Sequence, residues 1–315
     1  MKRAQRGAAL LTAMIIVTLV AAIAAAMAWH QERAIAVEAA ERARTQSRWM
    51  LLGALDWARL ILREDAVSNL MRTNWDHLGE PWAVPLAEAR LSTFLASQGS
   101  KAEDGPAAFL SGRIDDAQAR YNLRNLIQTG KDRAQLELRT LRRLCELAGA
   151  PSGTADLIAS RINAAYATEP SADAPVRIAS AAELSWLGLP SEVVGALQPF
   201  VTILPAATPV NLNTAPREVI AALIEGVDLA SAERLVQARR LAPLAAPQDA
   251  SKYLPSGIQI PADRASVNSQ FFYVTGRLRL DEHVLVQRSL LQRKGLTVAT
   301  IDTATLPGSL ESPSP

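Results

Sequence analysis

The sequence predicts a mixed α/β fold of the α+β kind. Three observations carry that prediction: a very long helical pattern at the N-terminus, a two-residue periodicity near the C-terminus, and a large helical stretch between them. The chain has 315 residues, which suits one or two folded units beside a targeting segment. Hydrophobic residues make up 49% but aromatics only 5%, so Ala, Leu, Ile and Val must fill the core. A formal net charge of +2 argues against a dominant electrostatic grip on nucleic acid.

The first element is apolar. Ala8 to Trp29 carries no charge. As a helix it would span about 33 Å, enough for the hydrocarbon core of a bilayer. Lys2, Arg3 and Arg6 precede it and place the N-terminus in the cytoplasm, with the remainder across the membrane. Three readings of this segment stay open. It can be a plain anchor. It can be a secretory signal cut at Ala26-Met27-Ala28, which would release a soluble periplasmic protein. Third, Arg6-Gly7-Ala8 runs straight into the apolar helix and resembles a prepilin leader, residues 1–7, cut between Gly7 and Ala8. That cut removes three basic residues and takes the formal charge from +2 to −1.

Beyond Trp29 the chain is rich in Ala, Glu, Arg and Leu and meets no proline before Pro81. Leu51, Leu55, Ala58 and Leu62 fall on one helical face. One helix from about Ala8 to about Arg63 is therefore expected, its last turns lying on a folded head. Glu32, Arg33, Glu38, Glu41, Arg42, Arg44 and Arg48 read as its solvated part. Trp75 and Trp82 read as packing anchors in the loop that follows.

In FFYVTGRLRL, Phe272, Val274, Leu278 and Leu280 share one face. HVLVQRSLLQ follows after only Asp281-Glu282, so a β-hairpin is expected. Leu296–Asp302 offers a third strand and Ala108–Asp115 an earlier one. Between these strands residues 125–263 read as an inserted all-α unit, helix-hairpin-helix or SAM-like, with Pro/Ala-rich breaks. The expected organisation is a head from residues 30–124 and 264–304 around that insertion, with a disordered tail at 305–315.

Motifs for chemistry are few. His30, His77 and His283 are scattered, and no G-x-S-x-G, Walker A or C-x-x-C pattern occurs. No catalytic residue is expected. Cys145 sits among Leu141, Leu144 and Leu147 and reads as a buried hydrophobe. Glu103, Asp104, Asp115 and Asp116 are acids that calcium could use, but no loop of fixed ligand spacing contains them, and no metal ligand is assigned. The stretch from Val210 to Arg240 resembles a helix-hairpin-helix DNA-binding unit, and that from Ala119 a weaker copy. Its turn, Ile224-Glu225-Gly226-Val227-Asp228, lacks the second glycine and carries two acids that repel phosphate. Asn211, Asn213 and Thr214 are expected to cap the helix starting near Pro216.

Four segments in order are similar to one family. They are RGAALLTAMIIVTLV, GRIDDAQARYNLRNL (residues 112–126), VNLNTAPREVIAAL (residues 210–223) and the late FFYVTGRLRL strand. The chain resembles the minor pseudopilin K family of type II secretion over nearly its whole length. The resemblance implies a pilin-like head interrupted by the insertion, and cleavage and methylation by prepilin peptidase. It implies a single-pass inner-membrane protein with a periplasmic head. Implied partners are the minor pseudopilins I and J, pseudopilin H through them, and then exoproteins and the secretin. No cofactor is required and no nucleic acid is expected, though the family admits calcium. The fifth position after the proposed cut is Thr12, where ordinary pilins usually carry a glutamate. A subunit with nothing above it needs no such acid, which fits the filament tip that the family implies.

Overall fold

The long helix exists and exceeds its expected bounds. In the computed structural model, which describes residues 4–71, 75–92, 108–127, 130–169, 171–280 and 283–307, helix α1 runs over Ala4–Met71, 68 residues. At about 1.5 Å per residue it is about 100 Å long. It starts within the segment read as a leader. It passes Arg63 because Asp65 and Ala66 are buried against the head, so the last turns are held by packing rather than by propensity.

Five strands form one antiparallel sheet in the order β1-β2-β7-β8-β9. They are β1 (Leu86–Arg90), β2 (Ala108–Asp116), β7 (Phe271–Leu280), β8 (His283–Lys294) and β9 (Thr297–Leu306). The hairpin is in register, with Leu280 opposite His283; Asp281 and Glu282 lie outside the described residues. Two differences from expectation stand out. Strand β1 was not foreseen, because Leu-Ala-Glu-Ala-Arg has weak strand propensity and pairs on one side only. Strand β9 continues to Leu306, since Ala304, Thr305 and Leu306 pair with Arg288, Gln287 and Val286. The rest of the expected tail, residues 308–315, lies outside the described residues.

The alternation along β7 explains how α1 docks. Phe272, Val274, Leu278 and Leu280 face Leu51, Leu55, Ala58 and Leu62 of α1, and all are buried. Trp82 completes this core edge-to-face with Phe272, ring centroids 5.3 Å apart. Gly276 sits opposite Gly112 on β2. A Cβ at Gly112 would come within 2.9 Å of the Thr275 carbonyl oxygen, so this crossing needs glycine.

Among the described residues the inserted segment carries five α-helices: α2 (Lys131–Leu147), α3 (Thr154–Ala165), α4 (Ser191–Leu197), α5 (Arg217–Leu223) and α6 (Leu229–Leu241). It also carries two short parallel ladders. Strand β3 (Tyr121–Asn122) pairs with β4 (Val201–Thr202), and β5 (Val210–Asn211) with β6 (Ala265–Ser266). One apolar cluster spans this unit from Tyr121 to Val267, with Trp75 packed on it. Cys145 is free and buried within it, and burial pushes its thiol up to about 11. A buried ion pair, Arg264 to Glu137, stitches the end of the unit to α2, with Nε to Oε1 at 2.9 Å. The Tyr121 hydroxyl donates to the same carboxylate at 3.0 Å.

Candidate functional site

Two regions carry the residues singled out from the sequence: the free half of α1, and the joint between sheet and insertion. On α1, the stretch from Ala8 has mean hydropathy 2.6 over its most apolar window, and none of that window is buried. Leu10, Met14, Ile16, Leu19 and Ile23 are all exposed. By length and composition this helix can cross a membrane. At its far end Trp29 lies edge-to-face with His30, and the Arg33 guanidinium sits 5.6 Å from its ring centre. The Thr12 hydroxyl donates to the Ala8 and Ala9 carbonyls, 3.0 Å each. It is satisfied within its own helix. Of Gly7 only its place within α1 is described.

The joint is built from buried polar groups. Asp116 ends β2 and its carboxylate accepts four hydrogen bonds: from the Gln118 amide at 2.7 Å, Thr214 Oγ1 at 2.6 Å, Ser269 Oγ at 2.7 Å and Asn211 Nδ2 at 3.0 Å. Asn211 Nδ2 also lies 3.1 Å from the Asp76 carbonyl. Asn213 clamps Leu244 in both directions, accepting from its amide at 2.9 Å and donating to its carbonyl at 3.0 Å. The expectation that Asn211, Asn213 and Thr214 cap a helix is therefore corrected. Helix α5 starts after Pro216 without a side-chain cap; these three side chains are buried and bond distant segments, while Asn211 Oδ1 also accepts locally from the Asn213 amide at 2.9 Å.

Next to Asp116 lies a second knot. Arg293 of β8 pairs with Asp65 of α1 and Asp76 of the following loop, and all three are buried. Asp76 Oδ2 also accepts from the Ser269 amide at 2.6 Å. Glu80 Oε2 accepts from Trp82 Nε1 at 2.7 Å and from the His77 amide at 2.8 Å. The carboxylates of Asp65, Asp76 and Glu80 gather within 4.8 Å, and Arg293 supplies a cation to two of them. Burial pushes Asp76 up to about 6 against the pull of Arg293. Burial likewise pushes Glu80 up to about 7. Sequence reasoning missed this knot. Its members lie 217 and 228 residues apart in the chain, and only Arg293, a cation amid the strand pattern of β8, gave any local sign of it.

Of the acids weighed for calcium, Asp116 is fully engaged as described. Asp115 pairs with Arg113 at 3.0 Å, and Glu103 and Asp104 lie outside the described residues. The helix-hairpin-helix turn is likewise committed inward. Arg143 donates to the Ile224 and Val227 carbonyls at 3.0 and 2.9 Å. The Asp228 carboxylate accepts from the Ser231 amide at 2.7 Å, closing the N-terminus of α6. In DNA-binding hairpins that end is turned to phosphate.

Similarity to known proteins now adds to the geometry. Residues 210–268 match the family model described as type II secretion system (T2SS), protein K. The type II secretion system protein K of Pseudomonas aeruginosa is 29% identical, with 93% of this chain and 90% of that protein covered. Its counterpart from Pectobacterium carotovorum subsp. carotovorum is 28% identical over 96% of each. Over nearly its whole length the chain is thus similar to type II secretion system protein K. A chain of the crystal structure of the GspK-GspI-GspJ complex from the enterotoxigenic Escherichia coli type 2 secretion system shares the fold, with TM-score 0.60 and 19% identity. The match covers 85% of this chain and 98% of that one. The segment matched by the protein K family model contains Asn211, Asn213, Thr214 and the hairpin; of these, Asn211 and Thr214 tie the insertion to the sheet through Asp116.

Proposed function

We propose that this chain is a minor pseudopilin that forms the tip of a periplasmic pseudopilus and supports export across the outer membrane by mechanical assembly, without bond chemistry. One observation carries the reading. A single uninterrupted helix is unburied over its apolar first half and built into the head's sheet over its second. Such a helix can join membrane and filament to a rigid head. In this reading prepilin peptidase cuts after Gly7 on the cytoplasmic side, Ala8 becomes the methylated N-terminus, and the head is periplasmic. Thr12 occupies the fifth mature position with its hydroxyl spent on its own helix, so no acid waits there for a subunit above. The pseudopilins I and J are the proposed neighbours, since the solved structure that shares this fold contains both.

Mass analysis of the mature N-terminus tests the reading. A chain starting at Ala8 supports it. A start at Trp29 or an intact Met1 would overturn it in favour of a secreted protein or a plain anchor. The full chain should also co-purify with pseudopilins I and J, and failure with both would remove the tip assignment.

A further inference from the structure

The face of the sheet turned away from α1 is basic. On β2, β7 and β8 the alternate side chains Arg113, Tyr273, Arg277 and Arg288 share it, as the register requires. Some of this charge is matched. Arg277 and Arg279 share Glu88 at 3.1 and 2.7 Å, and Arg113 holds Asp115. Arg288 and Arg120 are different: among the described residues neither has a carboxylate within ion-pair distance. Both lie against the Tyr273 ring, Arg288 at 3.9 Å and Arg120 at 5.9 Å from its centre. The Tyr273 hydroxyl is fixed to Thr202 Oγ1 of the insertion at 3.0 Å. Arg288 Nε and Arg120 Nη1 are buried donors with no acceptor among the described residues. Burial, with Arg120 as a like charge nearby, holds Arg288 below the usual arginine range.

These groups open into one cleft of about 630 Å³ between the sheet and residues 179–182 of the insertion. Val286, Leu290 and Leu306 are among its apolar lining, and Asp302 is the one acid that lines it among the described residues. Two unmatched guanidinium groups held on an aromatic ring, beside an apolar wall, match a carboxylate with apolar neighbours. We propose that this cleft binds an acidic, partly apolar segment of a partner protein, one carboxylate lying between Arg120 and Arg288. A bare inorganic anion would leave the apolar wall uncovered. A lipid headgroup is poorly placed to reach the cleft, since about 20 Å of solvated helix separates Trp29 from Ala43, where α1 first meets the head.

The test uses the full chain in detergent and a fluorescent octapeptide of alternating Glu and Leu, read by anisotropy. Saturable binding that weakens with salt is expected. It should weaken at least about tenfold in Arg120→Gln, in Arg288→Gln and when the peptide's Glu are changed to Gln. Two separate variants guard against a folding defect at either site, which circular dichroism checks in both. Equal binding of the Gln peptide, unchanged binding by folded variants, or no saturable binding overturns the proposal. Displacement by equimolar inorganic phosphate, or Arg-dependent binding to phosphatidylglycerol vesicles in place of the peptide, overturns it too by reassigning the cleft to a free anion or a lipid.

Discussion

Arg293 does at one point what a longer interface would otherwise do. It ties α1, the loop after it and β8 into a single buried charge cluster, and its removal would leave three carboxylates facing one another. Arg293→Met should cost about 3–5 kcal/mol in chemical denaturation. Protonation tunes the same cluster. Glu80 and Asp76 have folded values raised to about 7 and about 6, above ordinary carboxylates. Their protonated forms are therefore favoured by folding, a contribution complete below about pH 4 and lost as pH rises through 6 to 7. Glu80→Gln keeps an acceptor for Trp82 and removes the titration. Relative to wild type, the variant should gain stability between pH 5 and 8, measured by thermal melts. A flat difference across that range would contradict the assignment. A second buried pair gives an independent check: Glu137→Leu should be strongly destabilising because it strands Arg264, and adding Arg264→Met should recover much of the loss.

At the scale of elements, packing of α1 on the sheet follows directly from periodicity. Leu51, Leu55, Ala58 and Leu62 could be read as one face, and that face is the buried one. Leu62→Ala, at a fully buried position, should cost about 2–5 kcal/mol. Gly112→Ala should also destabilise, because the new methyl group meets a backbone oxygen that cannot rotate away; a melting temperature equal to wild type would refute the close approach. Strand β7 was legible because its side chains alternate, and β8 because an apolar run follows it after only two residues. Strand β1 was not, since its pairing with β2 is tertiary and its residues favour other conformations. The end of α1 was placed too early because the anchor for its last turns is Arg293, far away in sequence. Asn211, Asn213 and Thr214 looked like local caps for a similar reason. Local patterns suggest local hydrogen bonds, whereas burial in the joint directs these side chains to Asp116, Asp76 and Leu244.

For the whole molecule, α1 belongs to two environments at once. Its first half offers Leu, Ile and Met to surroundings outside the chain, and its second half is core. Shortening the charged middle by deleting one heptad between Glu32 and Arg42 should leave the head's melting temperature unchanged while altering co-assembly with neighbouring subunits, read by pull-down. A destabilised head would show that this stretch is structural. The insertion leaves and rejoins the sheet at one place. Asp116 closes β2 directly opposite Phe272 at the start of β7, and Ser269 reaches back to Asp116. Strands β2 and β7 are thus already the two arms of a hairpin whose tip has been opened to admit about 150 residues. The sheet could close over a short turn in its absence. Such a layout lets the insertion be gained, lost or exchanged by a single event in the gene without re-threading the sheet that carries it.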